Sequence, residues 1–232
     1  AKLTANAFLA QRVSSINSIS ALCEETGADI REVSRAIGSD TRIGSKFLDS
    51  GPGFGGSCFK KDILNLVYLS NYFGLPEVAS FWNSVVDLNN WHQKRITKIV
   101  LKKLYNTLAG KKIVILGFAF KANTNDTRES AAIKICKDLI EEGAFLSIYD
   151  PKVVKDQIER DLSIFNGEEP LDNGNFIRAE SIESAIDGSY AVIILTGCLT
   201  RCPTLVSSYR AHCEASETKR NAERIMTSFT VS

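Results

Sequence analysis

The chain of 232 residues is 44% apolar and 24% charged, with a net charge of +1. That length can bury one large core or two small ones. The balanced charge argues against a general nucleic-acid or membrane partner, no apolar run approaches bilayer length, and the start does not read as a signal peptide.

From Lys2 to about Thr26, residues Leu3, Ala7, Phe8, Val13, Ile16, Ile19 and Leu22 mark one helical face that Gly27 ends. The chain opens on Ala1-Lys2 inside this pattern, without an initiator methionine, as the middle of a longer protein would. Lys2 and Asn6 share a face at i, i+4, where an amine beside an amide can polarise an oxygen; an ordinary surface pair is the plainer alternative. A shorter helix is expected around Ile30, Val33 and Ile37, stopped by Gly38. A glycine-rich polar loop carrying Arg42 and Lys46 follows, up to Ser57.

The most informative stretch is Gly53-Phe54-Gly55-Gly56-Ser57-Cys58-Phe59-Lys60-Lys61-Asp62. Ile63, Leu64, Leu66, Val67 and Leu69 recur behind it at helical spacing, so Cys58 is expected in the first turn of a helix. A thiol there meets unpaired amide hydrogens and the positive end of the helix dipole, which favour thiolate. Asp62, four residues on, shares its face. A glycine loop, an activated cysteine and a facing carboxylate suit covalent catalysis; a small buried hydrophobe after a turn is the competing reading.

Leu75-Pro76 starts a helix whose apolar stripe runs through Val78, Phe81, Trp82, Val85, Leu88, Trp91, Ile96, Ile99, Val100 and Leu104. Unbroken, it spans about 28 residues and about 42 Å, long enough for a connector and subunit-contact spine. A break near Asn89-Asn90 is the alternative.

At Lys111 the period changes. Lys112 to Gly117 is the nearly all-apolar run of a strand buried on both faces. A helix through Ile133, Ile135, Cys136, Leu139 and Ile140, a strand from Ala144 to Tyr149, a mostly loop and charged-helix stretch over 152–180, a short helix from Ser181 and a buried strand from Ala191 to Leu195 complete a parallel α/β pattern. The loop after the first strand holds Phe120, Lys121 and Arg128, but Gly117 opens no G-x-G-x-x-G fingerprint. A nucleotide approached by a stacking Phe120 and by Lys121 fits this loop better than a dinucleotide; two ordinary surface charges are the alternative. Asp150, ending the second strand, stands where a dinucleotide fold places its ribose-binding acid.

Residues 197–232 hold ten Ser or Thr and no expected strand or helix, so the sheet edge at Ala191 to Leu195 is expected to lie open and the tail to be disordered. Of six cysteines (23, 58, 136, 198, 202 and 213), none falls into a disulfide framework; Cys23 and Cys136 sit on apolar faces as reduced thiols, which points to a cytoplasmic protein. Cys198, Cys202 and Cys213 lack a spaced fourth ligand, and His92 and His212 are far apart, so no metal is expected.

Taken together, several ordered motifs resemble the UDP-glucose 6-dehydrogenase family of nucleotide-sugar dehydrogenases. They are residues 1–8, Arg42-Ile43-Gly44, Phe47-Leu48, Gly53 to Asp62, Leu64 to Tyr68, Leu75 to Val78, Gly117 to Lys121, Asp126 to Ser130 and Ile148 to Lys152. The resemblance implies a central helical, dimer-forming domain (1–110) joined by the long helix to a Rossmann-like UDP-sugar domain (111–196), with a divergent tail (197–232). It implies a two-step oxidation of UDP-glucose to UDP-glucuronate, with NAD as cofactor and a homo-oligomer, dimeric or hexameric. Cys58 matches the nucleophile that carries a thiohemiacetal and a thioester, Lys2 the group that assists proton transfer, and Asn6 and Asp62 the residues that position water. Lys2, Asn6, Phe47, Leu48, Asp49, Phe54, Gly55, Phe120 and Lys121 match substrate contacts, and Arg42 the arginine that reaches a neighbouring subunit's substrate. Cys58 and Arg128 match cofactor contacts.

The chain departs from the pattern in lacking the N-terminal NAD domain, in Asp49 and Lys60, which replace a common lysine and glutamine, and in the text after Thr196. These departures imply that the chain alone does not turn over. Two alternatives are a GDP-mannose or N-acetyl-sugar dehydrogenase, and a non-catalytic chain that joins full-length subunits. A thiol acyltransferase built on Cys58 lacks an obvious base.

Overall fold

The computed structural model describes residues 1–163 and 174–196, and the backbone of 225–228. Four helices come first: α1 (Lys2–Thr26), α2 (Ile30–Gly38), α3 (Phe59–Tyr72) and α4 (Pro76–Lys103). Gly27 ends α1 in the left-handed conformation at φ 77°, where a side chain would be strained. Asp29 caps α2 by accepting from the Arg31 N–H at 2.8 Å. Pro76 starts α4, whose 28 residues run unbroken past Asn89-Asn90. Ala7, Ala10 and Val13 of α1, Ile63 of α3, and Trp82, Val85 and Val86 of α4 close over Phe54 to make the helical core.

The buried face of α4 differs from the expected stripe. Val78, Phe81 and Trp91 are exposed, whereas Asn89, His92 and Gln93 lie buried beside Val85, Val86 and Ile96. The polar residues face inward because an irregular loop, rather than another helix, packs there. Farther along, Ile96, Val100 and Leu104 leave the helical core and join that of the sheet.

The second half alternates β1 (Lys112–Leu116), α5 (Ala131–Glu141), β2 (Phe145–Tyr149), α6 (Lys155–Ser163), β3 (Phe176–Arg178), α7 (Ile182–Ile186), β4 (Ala191–Ile194) and β5 (Ile225–Ser228). All strands pair in parallel in the order β3-β2-β1-β4-β5. Ile113, Ile115, Leu146, Ile148 and Ile193 point to α5 and α6, while Val114, Leu116, Val192 and Ile194 point to α7. Burial on both faces explains why these strands read as continuous apolar runs rather than alternating ones.

Two expectations are corrected. Within 152–180, read as loop and charged helix, residues 176–178 form β3 on the edge beside β2. The open edge expected at Ala191 to Leu195 is covered: β5 pairs with β4 from Ala191↔Ile225 to Ile194↔Ser228, within the stretch expected to hold no strand. Both strands are too short for periodicity to reveal, and in β5 Ile225-Met226 is followed by Thr227-Ser228, a mixture that becomes a strand only when a neighbour supplies the ladder. The remaining tail residues, with Cys198, Cys202 and Cys213, lie outside the described residues.

Candidate active site

Cys58 is the N-cap of α3 rather than a member of its first turn, and its thiol is exposed. Its carbonyl accepts from the Asp62 N–H at 2.8 Å, which closes the first turn of α3. The Asp62 carboxylate in turn accepts from Asn6 Nδ2 at 2.6 Å. This bond fastens the first turn of α1, where Lys2 stands exposed one turn before Asn6, to the turn that carries Cys58. Ser57 Oγ lies 3.8 Å from Cys58 Sγ.

The glycines ahead of the thiol let it dock on the loop after β1. Gly56 N–H donates to the Arg128 carbonyl at 3.0 Å, and a Cβ on Gly56 would stand 3.0 Å from the Phe120 ring. A Cβ on Gly55 would fall 2.4 Å from the Glu129 carbonyl oxygen, so only glycine admits this approach. Lys60 and Glu129 pair across the same seam at 2.8 Å. The Arg128 guanidinium pairs with Asp126 at 2.7 Å, which holds the Asp126 carboxyl below the usual carboxylate range. Arg128 is itself raised, chiefly by Asp126 and in smaller part by Cys58. Along this seam opens a cleft of about 680 Å³ lined by Gly56, Ser57, Lys60, Lys61, Leu64, Asn65, Arg128 and Glu129.

Cys58, Asn6, Asp62, Gly55, Phe120 and Arg128 therefore converge. Lys121 lies on the face of the Phe120 ring, its Nζ 5.3 Å from the centroid. The other expected substrate residues are placed differently. The Phe54 ring is buried in the helical core, and Phe47 packs on that core with a left-handed backbone at φ 60°. Leu48 is buried and its carbonyl accepts from Ser34 Oγ at 2.6 Å. These three side chains are spent on packing. Asp49 is exposed. Arg42 is exposed and paired with Asp40 at 2.6 Å, on a loop held by Arg12 through the carbonyls of Ile43 and Gly44.

The sheet offers no ordinary dinucleotide crevice. Strand order reverses between β1 and β4, where open α/β folds bind ligands. Here Thr196 fills that point: its hydroxyl donates to the Ala119 carbonyl at 3.0 Å, and a Cβ on Gly117 would lie 2.4 Å from it. Nor is Asp150 available to a ribose. One of its oxygens accepts from the N–H groups of Phe118 (2.7 Å) and Ala119 (3.1 Å), and the other from Lys152 (2.8 Å) and Val153 (3.1 Å). The carboxylate instead anchors the strand end from which Phe120 and Lys121 project.

Sequence reasoning missed the residues behind the glycine loop. Asn89 on α4 grips Phe54, its Oδ1 accepting from the backbone N–H at 2.9 Å and its Nδ2 donating to the carbonyl at 3.2 Å. His92 Nε2 donates to the Gly51 carbonyl at 2.8 Å, and Asn17 Oδ1 accepts from the Gly51 N–H at 2.9 Å. Burial lowers the His92 pKa to about 4, so the ring is neutral. The available signal was polar residues at 89, 92 and 93 continuing the spacing of Val85, Val86 and Ile96.

Among the described residues, no helix is long and apolar enough to cross a membrane, and no group of three His, Cys, Asp or Glu could hold a metal. Residues 1–91 match the UDP-glucose/GDP-mannose dehydrogenase family, central domain, and residues 114–198 match its UDP binding domain. The chain is 54% identical over 198 residues to a UDP-glucose 6-dehydrogenase of Drosophila melanogaster, covering 84% of this chain and 41% of that protein. It is 58% identical over 172 residues to UDP-glucose 6-dehydrogenase 2 of Arabidopsis thaliana, covering 73% of this chain and 36% of that protein. Among solved structures, a UDP-glucose dehydrogenase from the archaeon Pyrobaculum islandicum superposes with a TM-score of 0.72 at 30% identity, over 84% of this chain and 42% of that one. The chain thus spans well under half the length of these relatives.

Proposed function

Because the chain belongs to the UDP-glucose/GDP-mannose dehydrogenase family, we propose that it supplies the thiol and the UDP-binding parts of an enzyme that oxidises UDP-glucose to UDP-glucuronate. The observation that carries this reading is the exposed Cys58 at the N-cap of α3, seated between the Asn6–Asp62 pair and the Arg128 loop. NAD, when bound, accepts the hydride at each of the two oxidations. Of this chain's residues, Cys58 and Arg128 would stand against the bound cofactor, Arg128 on the wall of the cleft that Ser57 also lines.

In this mechanism the Cys58 thiolate adds to the C6 aldehyde carbon, and the carbonyl electron pair moves to oxygen. Lys2 and Asn6, with N–H donors on the adjoining turn of α1, stabilise that oxyanion. Oxidation of the thiohemiacetal leaves a thioester on Sγ. Water then attacks the acyl carbon, Asp62 takes up the proton, and the thiolate departs as the carboxylate forms. Phe120 stacks on the uracil, and Lys121 turns from its ring to the diphosphate. The exposed Tyr68, Tyr72, Phe73, Leu75, Val78 and Phe81 give α3 and α4 an apolar face for a second copy of the chain.

Calorimetric titration with UDP and peptide-resolved alkylation with iodoacetamide test the reading. UDP is expected to bind, and to bind at least about tenfold more weakly after Lys121→Ala, the loss of one charged contact. Cys58 is expected to alkylate faster than the buried Cys23 and Cys136. Absence of UDP binding, or a Cys58 no more reactive than those two, overturns it.

A further inference from the structure

The segment from Gly51 to Gly56 is buried or nearly so, yet belongs to no helix or strand. Its backbone polar groups therefore need partners other than a regular ladder. Asn89 satisfies both groups of Phe54, in the two-bond pattern a neighbouring strand would supply. The fit is close from the other side as well. Gly53 adopts φ 116°, and a Cβ there would stand 2.5 Å from Asn89 Oδ1. The backbone thus passes Asn89 at a distance only glycine permits, and Phe54 is the fourth residue before Cys58. Beyond Phe54, the next tether of this loop is the Gly56–Arg128 bond at 3.0 Å.

We infer that Asn89 is a positioning residue for Cys58: by holding both backbone groups of Phe54, it sets where the glycine turn delivers the thiol relative to Arg128 and the Asn6–Asp62 pair. The inference rests on Cys58 being the nucleophile. Without Asn89, the Phe54 N–H and C=O lose their partners inside the protein and must move to find others. Since Gly55 and Gly56 have no side chains to resist rotation, that movement passes into the turn and shifts the sulfur. His92 and Asn17 hold Gly51, three residues earlier, and so fix the loop's entry rather than its exit.

The test uses the full 232-residue chain and two reagents of similar size, neutral iodoacetamide and anionic iodoacetate, with rates resolved by peptide mass spectrometry. The ratio of the two rates at Cys58 reads the local positive potential, to which Arg128 contributes. A loss of packing alone does not move it. In Asn89→Ala the iodoacetate-to-iodoacetamide ratio is expected to fall about threefold or more as the thiol leaves the cationic seam. Val86→Ala, which opens a cavity in the core that the Phe54 ring joins but leaves both Asn89 bonds to the Phe54 backbone in place, is expected to lower the melting temperature and leave the ratio unchanged.

Equal ratios in wild type and Asn89→Ala overturn the inference, as does an equal fall in Val86→Ala. Should Asn89→Ala fail to fold, seen as alkylation of the buried Cys136, the ratio is read in Asn89→Ser. That variant adds no charge and is too short to reach both Phe54 backbone groups, and an unchanged ratio there is equally decisive. A wild-type Cys58 no more reactive than Cys23 or Cys136 instead overturns the nucleophile assignment, and this inference with it. A reactive wild-type Cys58 with an unmoved ratio in the variants overturns this inference alone.

Discussion

Asp150 offers the sharpest test of how the nucleotide loop is built. The residue is 3% exposed, and its carboxylate accepts four backbone N–H bonds, two from each segment it joins. Asp150→Asn is isosteric but replaces one oxygen by an amide that cannot accept. Two of the four donors, either Phe118 and Ala119 or Lys152 and Val153, then face an N–H₂ group. A hydrogen bond to a charged partner contributes about 1.5–3 kcal/mol, and the loop can relax to recover part of the loss, so the expected destabilisation is about 3 to 4 kcal/mol. Urea denaturation measures it directly, with Asp156→Asn on the exposed surface of α6 as a comparison expected to stay within about 0.5 kcal/mol. Because Phe120 and Lys121 follow the anchored Phe118 and Ala119, UDP affinity is expected to fall in parallel. A loss below about 1 kcal/mol with UDP affinity intact would refute the claim that this carboxylate organises the loop.

Two further predictions concern the supports of the site. Burial lowers His92 from 6.5 to about 4, so the unfolded chain binds this proton more tightly than the folded one. Its stabilising contribution is therefore complete above pH 6.5 and is lost as pH falls towards 4, by about 3 kcal/mol in all. Urea denaturation across this window should show the decline in wild type and a shallower one in His92→Gln; parallel curves would count against a buried neutral ring. Gly117→Ala and Gly27→Ala separate backbone strain from crowding. Both sites have positive φ, but a Cβ meets Thr196 at 2.4 Å in the first and nothing within 4 Å in the second. Gly27→Ala is expected to cost about 1 kcal/mol and Gly117→Ala at least about 2 kcal/mol more. Equal losses would show that Thr196 yields freely.

The long elements were legible because periodicity over many residues is itself the physical cause of their burial. The 28 residues of α4 start at Pro76 as the sequence predicts, and Lys112–Leu116 and Ala191–Ile194 read as strands because both of their faces are buried. Cys58 was legible for a different reason. The apolar spacing of Ile63, Leu64, Leu66, Val67 and Leu69 directly after a glycine-rich loop places a helix start close to it. The three residues of β3 and the four of β5 carry too short a pattern, and their strand state comes from pairing with β2 and β4.

The sequence by itself determined what depends on near neighbours: which segments are helical or buried, where the thiol meets a helix end, and that no glycine fingerprint follows β1. Only the tertiary structure decided which side chains answer the backbone of the irregular loops. Asn89 bonds Phe54 across 35 residues, Asn17 bonds Gly51 across 34, and Asp150 bonds Phe118 across 32. The same distinction separates Phe54 and Phe120. Both follow a glycine in candidate binding motifs, but one ring fills the helical core and the other lies against Gly56 at the site. A loop without a ladder takes its hydrogen bonds from whatever packs against it, and that partner is chosen by how the elements assemble, not by the spacing of residues within any one of them.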